Sequence, residues 1–386
     1  MSLKSQVVEC FAVLFTKKTL SVRQKWILGL INLSAVVIFW VLSSFLVNDL
    51  FETDIYRKPF FITYLNTGCF AFYLIPYLWS EGLSLREFID ALQINYHESR
   101  IGGEFTNLND MENYGSSDNL TTLQQDTELQ IPLYETIKLS SQFAVLWFSA
   151  NLVTNASLSY TSVASQTILS SSSSFFTLII GYLCMVEKIN LNKIIGLVLS
   201  FVGVIIVTKI DSSDPPNENT PPLLTLWGNL LALSGALFYG VYTILLKFKV
   251  MIKDSHKERV LNTHLFFAFV GIFTLVFLWP VIILLHFTGH EKFELPPNSY
   301  ALILLSLNML ITFISDLCWC KAVLLTSPLT VTVGLSMTIP IAMVGDWLIK
   351  GFRINWLYLL GASIVTAGFL IINNDEEEDF VSHRDE

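Results

Sequence analysis

Charge is what this chain has least of. Only 14% of its 386 residues are Asp, Glu, Lys or Arg, against 53% hydrophobic residues and a mean hydropathy of +0.56. Soluble domains carry about 25% charged residues, so the apolar excess here belongs in membrane spans. Cysteine is scarce too. Cys10, Cys69, Cys184, Cys318 and Cys320 form no CxxC pair and mostly fall in apolar stretches, which argues against a disulfide framework and against a zinc site. No GxxxxGK loop is present to bind and hydrolyse ATP, so any pumping must draw on an existing gradient. The leader carries Lys17, Lys18, Arg23 and Lys25 but no small-residue cleavage site after a short apolar core, so it is not a removable secretory signal. With Glu9 and a single arginine before the first span, it is not an arginine-rich transit peptide either. Nothing resembles a nucleophile, base and orienting acid in one place, so no enzyme activity, no metal and no cofactor are expected. The net charge of −9 lies largely in Asp375-Glu376-Glu377-Glu378-Asp379 and one hydrophilic segment, which read as solvated acidic runs rather than a nucleic-acid or other charged interface.

What is present is a series of long apolar windows. A spanning helix needs about 20 largely apolar residues, and ten such windows emerge: Trp26 to Val47, Phe60 to Trp79, Lys138 to Leu158, Thr161 to Val186, Lys193 to Ile210, Leu224 to Phe248, His264 to Phe287, Tyr300 to Leu325, Leu329 to Ile349 and Asn355 to Ile372. The organisation expected is a leader at 1–25, a first half at 26–210 with a long loop at 80–136, a linker at 211–223, a second half at 224–373 and an acidic tail at 374–386. An even number of spans puts both termini on one side. Of the 23 lysines and arginines, only Arg57, Lys58, Lys209, Lys292, Lys350 and Arg353 fall on the other side, so the positive-inside rule places both termini in the cytosol. The 80–136 loop is polar and poor in aromatics, as a disordered tether would be. Its sequon at Asn119 is then cytosolic and unglycosylated. His286 and His290 sit at a span end and read as an interfacial pair.

Sliding the chain against itself by 165 residues exposes a repeat. Thr161-Ser162 falls on Thr326-Ser327, Thr167 on Thr332, Ser171 on Ser336, Lys188-Ile189-Asn190 on Arg353-Ile354-Asn355, Gly196 on Gly361 and Gly203 on Gly368. Two halves with an odd number of spans each enter the membrane in opposite senses, as in an inverted-repeat secondary transporter. The fold class expected is an all-α membrane protein of ten helices in two inverted five-helix repeats.

Polarity inside the spans marks candidate function. Thr167, Ser170, Ser171 and Ser174 follow the i, i+3, i+4, i+7 spacing of one helical face, and Thr332 and Ser336 form the matching stripe in the ninth span. These stripes either line a substrate path or let helices pack closely while each hydroxyl bonds a backbone carbonyl. Trp147, Asn151, Asn155, Tyr239 and Tyr242 are further cavity candidates, supplying aromatic walls and amide hydrogen bonds. A mid-membrane aspartate costs about 2.5–3.5 kcal/mol on insertion scales. Asp316 lies at such a depth, with Lys321 five residues on and Lys247 on the sixth span as possible counter-charges. It is either half of a structural ion pair or a site that binds a proton or a substrate cation. Asp346 is shallower and is expected to face water. Pro340 kinks the ninth span, as a gate or merely as a shape.

The stretches LWFSANLVTNASLSYTSVASQTILSSSSSFFTLIIG, GNLLALSGALFYGVYTILLK, FVGIFTLVFLWP and LTSPLTVTVGLSMTIPIAMVGD resemble the F-subfamily of solute carrier family 35, in the drug/metabolite transporter superfamily. RKPFFITYLNT, from Arg57 to Thr67, is most similar to the fungal branch. The resemblance covers nearly the whole chain outside the leader, the long loop and the acidic tail. It implies ten helices in two inverted halves, with alternating access through a central cavity. It points to the vacuolar membrane, with mitochondrial or Golgi membranes as alternatives. The function expected is secondary transport of a small polar metabolite, of nucleotide or thiamine type, through a lipid bilayer with protons as the candidate coupling ion. The alternative is a scaffold or receptor that keeps the fold without transport.

Overall fold

The computed structural model describes residues 21–52, 56, 58–90, 92–93, 130–157, 160–161, 163–211, 222–251, 259–289, 291–350 and 356–382. Asn119, Cys10 and His290 lie outside the described residues. Within them the chain runs as ten helical passes: α1 (Val22–Glu52), α2 (Pro59–Gly68, continuing as a tight turn at Cys69–Tyr73 and as Leu74–Glu81), α3 (Leu133–Ser157), α4 (Val163–Ser171 and Ser173–Leu183), α5 (Leu191–Asp211), α6 (Pro222–Val250), α7 (Thr263–Thr288), α8 (Ser299–Leu325), α9 (Pro328–Gly334, a 3-10 turn at Leu335–Met337, then Thr338–Lys350) and α10 (Trp356–Ser382). Among the described residues, pairing between extended segments is confined to an isolated bridge from Gln130 to Val260.

Helices satisfy their own backbone groups, which is what a lipid-embedded chain requires. Their starts are written in the sequence. Asn262, Asn298 and Ser327 each accept a hydrogen bond from the backbone N–H three residues on, at 2.8–3.1 Å, and open α7, α8 and α9. Pro59 and Pro328 sit in the first turns of α2 and α9, where no N–H is needed. Gly289 ends α7 in the left-handed region. Among the described residues, eight helices are long and apolar enough to cross a membrane. The two that fall short are α3, which carries Ser140, Ser141, Gln142, Asn151 and Asn155, and α4, which is broken.

The packing follows an exchange rule. Helices in contact include α5 with α10, α1 with α8, α3 with α6, α2 with α7, α4 with α6, α1 with α9 and, over a shorter stretch, α4 with α9. Replacing every helix by its counterpart five places away turns the α1–α8 pair into α6–α3 and the α4–α6 pair into α9–α1, and returns α2–α7, α4–α9 and α5–α10 to themselves. The α5–α10 crossing carries this to individual residues. A Cβ added to Gly196 would lie 3.0 Å from the Gly368 carbonyl oxygen, and one on Gly203 would lie 2.9 Å from that of Gly361. Gly196 and Gly203 are the repeat counterparts of Gly361 and Gly368, so the contact pair maps onto itself with the two helices antiparallel. A twofold perpendicular to the helices, which an inverted repeat requires, gives this pattern. The breaks obey the same offset: α4 is interrupted at Ser172 and α9 tightens at Leu335–Met337. In α9 the interruption precedes Pro340, which has no N–H to offer the Ser336 carbonyl.

Two regions differ from a simple loop-and-tail reading. The start of the long loop is a short helix at 85–90, opened by a reciprocal Ser84–Glu87 cap and docked through Phe88 against Leu265 and Phe269. Its cap hydrogen bonds hold the Glu87 carboxyl below its usual range. At the other end of the chain, α10 does not stop at Ile372. It runs to Ser382, so the acidic run is a helical extension and is not a solvated tail.

Candidate functional site

The middle of the bundle holds a carboxylate in an aromatic setting. Asp316 sits on α8, 2% exposed, one helical step from Phe313 on one side and Trp319 on the other. Tyr73 of α2 stacks on Phe313 at 3.8 Å and donates its hydroxyl to the Phe313 carbonyl. Trp319 donates its indole N–H to the Tyr239 hydroxyl of α6 at 2.9 Å, and its ring lies 5.6 Å from Tyr242 and 5.8 Å from Trp147 of α3. Phe143 closes the group against Trp147 at 5.5 Å. Trp40 of α1 lies beside the Asp316 carboxyl group. Its Oδ2 oxygen is buried with no hydrogen-bond partner among the described residues.

Such a group is costly in a low-dielectric interior unless something neutralises it. Among the described residues no lysine or arginine forms an ion pair with Asp316. Lys321 is five residues along the helix and so lies on a different face. Lys247 donates to the carbonyls of Leu324 and Thr326, at 3.0 and 2.9 Å.

The hydroxyl stripes lie on α4 and α9. Thr332 donates to the Pro328 carbonyl at 2.6 Å and meets the Thr177 hydroxyl at 3.3 Å, so the two helices touch there through hydroxyls. Ser171 and Ser174 donate to the Ile168 and Ser171 carbonyls of their own helix, and Ser170 accepts from the Gln166 amide at 3.0 Å. Thr167 and Ser336 are partly buried, Ser336 within the 3-10 turn and Pro340 just beyond it. Gly240, beside Tyr239, brings α6 against the Thr177 backbone and so links the hydroxyl contact to the aromatic group. Asn151 lies one turn beyond Trp147 and donates to its carbonyl at 2.8 Å. The side chains of Asn155 and Asp346 are outside the described residues.

The structure therefore gathers Trp147, Tyr239, Tyr242 and Asp316 into one group. It places the Thr332 stripe at an adjoining contact and leaves Lys321 apart. Trp40, Tyr73, Trp319 and Thr177 escaped the sequence reading. Thr177 extends the Thr167–Ser174 spacing by one more step, and Trp319 is three residues from Asp316, so both carried a positional signal. Trp40 and Tyr73 carried none, being aromatics in apolar helices. His286 accepts from the Phe293 N–H at 3.0 Å and closes the turn after α7.

Comparison with known proteins places this geometry. Residues 128–209 and 226–374 match the model of the EamA-like transporter family. An uncharacterized vacuolar membrane protein of Saccharomyces cerevisiae is 48% identical, over 94% of each chain. A thiamine-repressible mitochondrial transport protein of the same yeast is 43% identical, over 91% of this chain and 92% of the relative. Solute carrier family 35 member F5 of Mus musculus is 30% identical, over 91% of this chain and 78% of its own length. A crystal structure 10% identical in sequence superimposes with a TM-score of 0.59 over 92% of this chain and 98% of that one, a likeness of fold alone.

Proposed function

Since the chain belongs to the EamA-like transporter family, we propose that it is a secondary carrier in which two inverted five-helix halves rock about the Asp316 site and move a small polar solute by alternating access. The observation that carries this reading is a buried carboxylate oxygen with no hydrogen-bond partner among the described residues, set among aromatic rings at the meeting of both halves. The exchange-symmetric packing and the matched breaks in α4 and α9 support it, because a carrier of this kind places its site where the halves meet.

The same group favours a thiamine-type solute over a nucleotide-type one. Phosphate recognition depends on arginine or lysine, and neither pairs with Asp316 among the described residues. An organic cation gains both the carboxylate and the faces of Trp319, Tyr239 and Tyr73, each cation–π contact being worth about 0.5–2 kcal/mol. When the solute leaves, a proton neutralises Asp316, which couples solute movement to a proton gradient. The membrane is the vacuolar one, as for the 48% identical yeast relative, and both termini are cytosolic.

Purified protein in liposomes tests this. Thiamine uptake should be saturable, untouched by nucleoside monophosphates, and at least about ten-fold slower in Asp316→Asn, a loss of about 1.4 kcal/mol in transition-state terms. Uptake of nucleotides without thiamine would overturn the solute class. No saturable flux of either would overturn the carrier.

A further inference from the structure

At the end of the bundle that bears both termini, four helices meet around charges that the Asp316 site does not use. After α4 the chain turns through Met185 at φ 58, among the described residues the one left-handed position that is not glycine. The turn folds Glu187 back over Gly181, where an added Cβ would meet its Cγ at 2.5 Å. Glu187, 5% exposed, then reaches two ways. It accepts from the Leu329 N–H at 3.0 Å, at the start of α9, and its carboxyl group faces that of Glu376 on α10. Glu376, 4% exposed, pairs at 2.6 Å with Lys193 of α5. Lys193, 1% exposed, also holds Asp379 at 3.0 Å. One cluster thus ties α4, α5, α9 and α10 together.

Its buried charges, Glu187 and Glu376 against Lys193, do not balance without a proton. Ionised carboxylates only accept hydrogen bonds, so two buried carboxyl groups that face each other are held together by a proton between them. The other charged groups at this end are engaged separately. Arg23 of α1 pairs with Glu377 at 3.4 Å, Asp375 takes the amides of Asn190 and Asn192, and Lys247 of α6 lies 5.8 Å over the Phe380 ring. Lys188 and Glu378 flank the cluster in sequence, and the first turns of α9 bring no charged residue. The other end of the repeat has no equivalent, since at the 165-residue offset Glu187 falls on Phe352 and Lys193 on Tyr358.

We propose that the Glu187–Glu376 pair binds a proton and that this proton closes a latch at the terminus-bearing end of the carrier, a reading that rests on the carrier function above. With the proton in place, Glu187 bridges α9 and α10, and Lys193 holds the α10 extension down. When the carboxyl O–H bond breaks and the proton passes to water, three carboxylates face the single Lys193 ammonium, and their repulsion frees the end of α10. Burial first, and the Glu376 charge second, push the Glu187 carboxyl well above its ordinary value, while Lys193 pulls it down. The closed form therefore binds more protons than the open form. It is favoured at low pH and lost as pH rises through that raised value.

Hydrogen–deuterium exchange on the full chain in lipid nanodiscs, corrected for the intrinsic pH dependence of exchange, reads the latch without requiring transport. Between about pH 5 and about pH 8, exchange at 374–382 should rise about ten-fold in the wild type, one unit of protonation free energy. In Glu187→Gln the amide keeps a donor to Glu376 with no proton to lose, so 374–382 should stay protected throughout. Glu376→Gln serves as the second variant. A flat wild-type profile, or a Glu187→Gln profile that still follows pH, overturns the latch. A pH-dependent latch with no flux of any solute would leave the latch standing and remove the carrier reading; flux with a flat profile would do the reverse.

Discussion

The two ends of this molecule use one device in two settings. At the end away from the termini, Glu291 accepts from the N–H groups of Phe60 and Phe61, at 3.0 and 2.9 Å, and so caps the proline-initiated α2. At the terminus-bearing end, Glu187 caps the proline-initiated α9 in the same manner. Both place a carboxylate against the positive end of a helix dipole. The surroundings differ. Around Glu291 the ion pair is at the surface, since Lys58 pairs with Glu294 at 3.1 Å and Glu294 is 63% exposed, while the buried Tyr56 donates its hydroxyl to the Glu294 carbonyl at 2.7 Å. Burial, with the charges of Glu291 and Glu294, holds the Tyr56 phenol up at about 12, so it stays a neutral donor at any physiological pH. Around Glu187 every partner but Asp379 is nearly sealed from water. The same cap is thus a solvated clamp at one end and part of a buried charge network at the other. Water screens the first and cannot screen the second, so the terminus-bearing end responds more strongly to any change in charge.

Substitutions rank accordingly. Lys193→Ala strips the counter-charge from two carboxylates in a buried cluster and should destabilise the described conformation by about 3–5 kcal/mol, seen as a large fall in the thermal midpoint in detergent. Lys193→Arg should recover most of that loss. Gly203→Leu forces a side chain against the Gly361 carbonyl at the α5–α10 crossing and should cost about 1–3 kcal/mol by overpacking, read in the same melt. Glu291→Gln keeps the shape of the α2 cap and loses its charge, for about 0.3–1 kcal/mol. Lys58→Ala, which removes a surface pair, should change the midpoint by less than the scatter of about 1 kcal/mol expected for such pairs. Equal effects of Lys193→Ala and Lys58→Ala would erase the distinction between the ends.

Much of the architecture was legible because lipid imposes simple rules. Ten apolar windows became ten helices, and the 165-residue offset that aligned glycines in sequence also pairs them across α5 and α10 in space. Asp316 was legible for the same reason: a charge inside a span is conspicuous. Its surroundings were not, because Trp40, Tyr73 and Trp319 look like packing residues until α1, α2 and α8 are brought together. The acidic run was misread because composition cannot tell a solvated tail from a helix that continues past the membrane with one face engaged. Phe380 was the available clue, an aromatic at the end of five acidic residues, and its ring lies 5.0 Å from that of buried Trp26. Glu187, Lys193 and Glu376 are ordinary charges at span ends in sequence, and only folding makes them one group.

The central claim is that the two ends open in alternation about the Asp316 site. Hydrogen–deuterium exchange of Lys193→Ala at a fixed pH tests it most directly, with residues 374–382 reporting one end and 59–62 the other. The account predicts faster exchange at 374–382 together with slower exchange at 59–62 than in the wild type. Faster exchange at both ends, or a change at 374–382 with none at 59–62, would contradict it.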